Sequence, residues 1–122
     1  MAANLMTGYK LFRQRRDGTL GPLFINRGLR IHLDVWYLAE EHPTPGYAIR
    51  PGWHICNLPL APHLSTKNRV WCRVEFELRR AIQRPVHQGG LWYLGSRMRV
   101  LEQLAQEQVD HTLTSEAFME AA

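Results

Sequence analysis

The sequence predicts a single α+β domain, mainly antiparallel sheet, with short helices and one C-terminal helix. Three features carry that prediction. Residues 69–78 alternate without a break, with Val70, Cys72, Val74, Phe76 and Leu78 on one face and Arg69, Trp71, Arg73, Glu75 and Glu77 on the other. This is the period of a half-buried strand. Asp17-Gly18 sits between two extended runs and is a strong hairpin turn signal. After Leu101 the spacing changes, and Leu101, Leu104, Ala105 and Val109 recur as on one face of a helix.

Taken in order, residues 9–14 read as a first strand, with Tyr9, Leu11 and Arg13 opposite Lys10, Phe12 and Gln14. Residues 20–26 read as a second, placed at an edge by Pro22, which cannot donate to a ladder. Residues 29–33 form a short extended piece. Asp34 is a capping residue for a short helix over 35–41. The run His42-Pro43-Thr44-Pro45-Gly46 is a loop, 47–50 is extended, Pro51-Gly52 turns, and 53–56 is a buried strand. Pro59 suits the first turn of a helix that Pro62 limits to one turn. Gly89-Gly90 precedes a strand over 91–94, Gly95 breaks it, and 97–101 fits either strand or helix. Ser115 caps a last turn containing Phe118.

A chain of 122 residues, 45% hydrophobic and 21% charged, is ordinarily globular and large enough to bury a core without disulfides. No apolar stretch approaches the ~18–20 residues of a membrane span. Residues 1–8 lack the basic-then-apolar order of a secretion signal, so the expected location is the cytoplasm. The net charge of +4 conceals two unlike parts. Residues 100–122 hold five carboxylates and no Lys or Arg, whereas the other 99 residues carry all 15 cations and six carboxylates, a balance of +9. The domain therefore divides into a basic body (9–101) and an acidic helical tail (102–122). Such a body attracts phosphate-rich partners, and 13 of its 15 cations are arginines, whose planar fork suits phosphate. The tail either folds back over this surface or docks a second copy of the chain in a homo-oligomer.

Three constellations point to chemistry. Arg69, Trp71 and Arg73 share the polar face of the long strand, and an aromatic flanked by arginines can stack a base and neutralise phosphates. Trp92, Tyr93, Arg79, Arg97, Arg99, Lys10 and Arg50 extend this candidate binding surface. On the same face, Glu75 and Glu77 alternate with Arg73 and Arg79, which reads as a solvated face with cross-strand ion pairs more readily than as an acid/base pair. His54, Cys56, His63 and Cys72 are the candidate ligands for zinc, but their spacing H-x-C-x6-H-x8-C matches no standard zinc pattern. Phosphate-loop, GxGxxG, HExxH and GxSxG motifs are absent from the sequence.

Tyr9-Lys10-x-Phe12, Pro51-Gly52-Trp53-His54-x-Cys56-x-x-Pro59 and Arg69-Val70-Trp71-x-x-Val74-Glu75 together resemble a family of small uncharacterised phage and prophage proteins over residues 9–80. That resemblance implies a mobile-element setting, in which small accessory proteins inhibit host defence by binding a protein or a nucleotide. More distantly, the order of elements is similar to the ADP-ribosyltransferases. That likeness implies NAD as cosubstrate, with Arg13 clamping phosphate, His54 on the ribose, and Glu75 or Glu102 stabilising an oxocarbenium-like centre. The leading expectation is a non-catalytic accessory protein that binds nucleic acid, a nucleotide or a host defence protein. A small NAD-using transferase and a zinc-stabilised module are the alternatives.

Overall fold

The alternation over 69–78 is realised in the longest strand of a computed structural model that describes residues 4–23, 28–39 and 52–121, with side chains as far as Glu116. The strands are β1 (Leu5–Gln14), β2 (Leu20–Gly21), β3 (Trp36–Leu38), β4 (Trp53–Cys56), β5 (Arg69–Gln83) and β6 (Leu91–Gln103). A 3-10 turn at Val86–Gln88 joins β5 to β6, and the helix α1 (Gln106–Ala121) ends the described chain. The result is a small domain dominated by antiparallel sheet with one C-terminal helix.

The sheet closes on itself. β1 pairs with β5 from Leu5 opposite Glu77 to Arg13 opposite Arg69, and β5 pairs with β6 from Cys72 to Gln83. β6 then pairs with β4, and β4 returns to β1 through Tyr9 opposite Cys56. Beyond that point the two strands splay apart. The last residues of β1 pair with β2 instead, and β6 pairs with β3 beyond β4. Closure needs close backbone approach, and Gly8 provides it: a Cβ there would lie 2.7 Å from Ile55 Cγ2 and 3.0 Å from the Cys56 carbonyl oxygen. Inside the ring, Phe12, Ile55, Val74, Phe76, Met98 and Val100 are fully buried. Leu11, Cys56, Trp71, Trp92 and Val109 form a second cluster on the outer side of the sheet, with Leu104 and Leu113 packed against it.

Several expected elements take other forms. Residues 36–38 are a strand, not the start of a helix: Asp34 turns the chain with φ 60°, and Trp36 pairs with Arg99. No helix forms after Pro59; the chain bends there and turns at Pro62-His63. β2 is only two residues long, and residues 24–26 lie outside the described residues. Gly95 does not break β6, because it lies between Ile55 and Phe76, where a Cβ would approach both at 3.2 Å. Leu101 belongs to β6 and α1 begins later. Its start is secured by Gln108, whose Oε1 accepts the Ala105 N–H at 2.7 Å, the backward half of a capping box. Ser115 is interior to this helix, and the Phe118 side chain is outside the described residues. The expected loop and strand at 42–50 also fall outside.

Candidate functional site

The outer face of β5 and β6 does not form an open basic track. Arg73 Nε donates to Glu102 Oε1 at 3.1 Å, Arg99 Nη2 to Glu75 Oε1 at 2.6 Å, and Arg97 Nε to Glu77 Oε2 at 3.4 Å. Ser96 Oγ also donates to Glu77, at 2.8 Å. These are cross-strand pairs: Arg73 stands opposite Glu102 and Glu75 opposite Arg99. Arg97 and Arg99 also stack on Trp36, their guanidinium carbons 4.6 and 5.2 Å from its ring centre. Arg69 donates to the Ser65 carbonyl at 2.9 Å, and Arg79 stands ten residues away along β5, a separation of roughly 33 Å. Trp71 is only 7% exposed, packed beneath Val109 of α1, so it offers no platform for a base. The acidic tail thus lies against the body at Trp71 and Arg73. Arg50 is outside the described residues.

The residues expected of a transferase are also dispersed. Arg13 lies opposite Arg69, and Glu75 is six residues further along the same ladder, roughly 20 Å away. Glu75 and Glu102 are both held by arginines, as described above. The two cysteines are divided by the sheet, Cys72 with the inner core and Cys56 with the outer cluster. Burial raises both thiols to about 12, the wrong direction for a thiolate ligand or nucleophile. Among the described residues no three of His, Cys, Asp and Glu are grouped to hold a metal ion.

What the structure does bring together is a cleft at the seam where β1 and β4 part. Its volume is about 300 Å³, and its lining includes Lys10 and Leu11 from β1, Trp53, His54 and Cys56 from β4, Trp71, Arg84 and Trp92. Lys10 shares its strand face with Phe12, so its side chain enters the seam, where it is half-buried. Its Nζ donates to the His54 carbonyl at 2.8 Å, where the splayed strands leave that carbonyl without a ladder partner from β1. The ammonium lies 5.7 Å from the Trp53 ring centre and 5.9 Å from that of Phe12. Desolvation lowers its pKa to about 8, against a usual 10.5.

The far wall is a second cation on an aromatic. Arg84 lies with its guanidinium carbon 5.5 Å from the Trp92 ring centre. Gln88 fixes it there: its side-chain oxygen accepts Arg84 Nε at 3.0 Å and Nη2 at 2.8 Å, while its carbonyl accepts Trp92 Nε1 at 2.7 Å. His54 meets the Trp92 ring edge-on at 6.3 Å, and His63 meets the same ring at a tilt, 6.0 Å away. Burial, with Arg84 and His87 nearby, lowers the pKa of His63. Both Lys10 and Arg84 act on the Cys56 thiol, opposing the rise that burial causes. No carboxylate is among the described residues that line this cleft.

Of the residues singled out by sequence, Lys10, His54, Cys56, His63, Trp71 and Trp92 reach this cleft. Arg84 joins them without any sequence signal of its own. One local signal points toward it: a lysine on the same strand face as Phe12 is either a buried cation or the end of the strand. Comparison with protein-family models, with curated proteins and with solved structures finds no match to this chain.

Proposed function

We propose that the chain is a non-catalytic binding module that takes a small anionic ligand with a planar ring, of the nucleotide class, into the seam between β1 and β4. The observation that supports it is the Lys10 ammonium. It enters an aromatic cleft with one protein acceptor, a carbonyl, and with no carboxylate partner among the described residues. An ammonium has three donors, and burying one so incompletely satisfied is costly unless an anion completes it. Trp53 and Trp92 supply flat apolar surface, and the two N–H groups of Arg84 bound to Gln88 leave three of its five donors for a charged substituent. A cavity of about 300 Å³ is at the small end of the usual ligand range. That size suits a mononucleotide better than an extended strand of nucleic acid. In the mobile-element setting implied by the sequence resemblance, such a protein would act by holding a host nucleotide.

The test is a titration of the purified protein with nucleoside monophosphates, followed by tryptophan fluorescence, because Trp53, Trp71 and Trp92 line the cleft. Saturable binding is expected. Lys10→Met is expected to weaken it by about 10- to 100-fold, the range for losing one hydrogen bond from a charged donor. Equal binding by the variant, or preference for long polyanions with a steep salt dependence, would overturn the reading.

A further inference from the structure

The seam also has the features of a covalent capture site. Three conditions favour condensation of a lysine with an aldehyde: an amine that is neutral in part of the population, an apolar pocket that disfavours water, and an anchor that holds the aldehyde beside the nitrogen. Lys10 lies between the rings of Trp53 and Phe12, with further positive charge in the same cleft from Arg84. Desolvation in the cleft disfavours its ammonium form. At neutral pH its neutral fraction is roughly 300 times that of a lysine with the usual value of 10.5. The donors of Arg84 not engaged by Gln88 are available to anchor an acidic substituent.

We propose that Lys10 reversibly captures small aromatic aldehydes that carry a phosphate or carboxylate, as an imine held within the seam. This rests on the reading of the seam as an anion site and specifies its chemistry. The ammonium first releases one proton to solvent. The amine lone pair then forms the N–C bond to the carbonyl carbon as the carbonyl π pair moves to oxygen. That oxygen takes up the proton that nitrogen gives up, leaving a neutral carbinolamine. Acid-assisted loss of its hydroxyl as water, with loss of the remaining N–H proton, leaves the C=N bond. The sum is amine plus aldehyde giving imine plus water, with no oxidation or reduction. The aromatic ring lies against Trp53 or Trp92, and the acidic group faces Arg84.

The chain contains its own control, since its two lysines are Lys10 and the exposed Lys67. The experiment treats the intact protein with limiting pyridoxal 5′-phosphate, fixes any imine with borohydride and maps the adduct by peptide mass spectrometry. Adduct on Lys10 is expected to exceed that on Lys67 at least tenfold. Unphosphorylated pyridoxal should lose most of that preference, and prior addition of a nucleoside monophosphate should suppress labelling at Lys10 but not at Lys67. Labelling of Lys67 equal to or above that of Lys10 would overturn the proposal. If fluorescence nevertheless shows nucleotide binding, only the covalent step is lost; if both fail, the anion site fails with it.

Discussion

Replacing Lys10 by methionine should change how stability depends on pH in a way that no surface lysine would reproduce. Lys10 has a folded-state pKa of about 8 against a usual 10.5. Between those values the unfolded chain binds more protons than the folded one, so this group makes stability rise with pH. Cys56 and Cys72 act in the opposite sense. Both are held near 12 against a usual 9.0, so above about pH 8 the unfolded chain begins to lose protons that the folded chain keeps. From pH 7 to 9 the lysine raises stability by on the order of 1 kcal/mol, and the two thiols together lower it by a somewhat smaller amount. The protein should therefore gain slightly or hold level over that interval and decline above it. Lys10→Met leaves only the thiols and should lose stability, by up to on the order of 1 kcal/mol, over the same interval. Urea unfolding under reducing conditions at several pH values from about 7 to 9 measures both slopes. Parallel declines in the two proteins would show that the Lys10 charge is not desolvated, and would remove a principal support for the seam as an anion site.

Three further perturbations test the frame around the seam. Gly8→Ala pushes a methyl against the Cys56 carbonyl and Ile55 at the point where the ring closes, so denaturant unfolding should show a loss of about 1–3 kcal/mol. Phe76→Ala empties a fully buried position at the centre of the inner core and should cost about 3–5 kcal/mol by the same measurement. Glu75→Ala should cost more than Glu102→Ala in thermal unfolding. Its pair with Arg99 is shorter and less exposed, whereas Arg73 and Glu102 are 41% and 46% exposed, where an ion pair contributes only about 0–1 kcal/mol.

The part of the fold legible in the sequence is the part specified by local periodicity. Residues 69–78 alternate because one side meets the core, and that pattern is written along the chain itself. Gly95 shows where local reading fails. A glycine in a strand pattern reads as a break, yet this one is required by Ile55 and Phe76, forty and nineteen residues back in sequence. Trp36 was misread for the same reason, since what makes 36–38 a strand is Arg99 across the ladder and a left-handed Asp34, not any preference in the segment. For the site, the Trp-His-x-Cys block and Lys10 were visible as unusual residues. Their meeting in one cleft depends on β1 and β4 touching at Tyr9–Cys56 and then diverging, a feature of register that no window of sequence contains.

The charge pattern leads to the same conclusion from another direction. A body of +9 with arginines on an exposed strand face suggests a polyanion, because composition counts charges without their neighbours. In space, Arg73, Arg97 and Arg99 each meet a glutamate, and two of the three also stack on Trp36. Cations so engaged attract an added phosphate weakly, since binding it would require giving up a partner already in place. Lys10 is the contrasting case, a cation partly withdrawn from water and given one carbonyl among the described residues. Binding strength follows the donors left unsatisfied more closely than the number of charges. A seam holding one incompletely paired ammonium is therefore a stronger candidate for ligand recognition than a face holding three paired guanidinium groups.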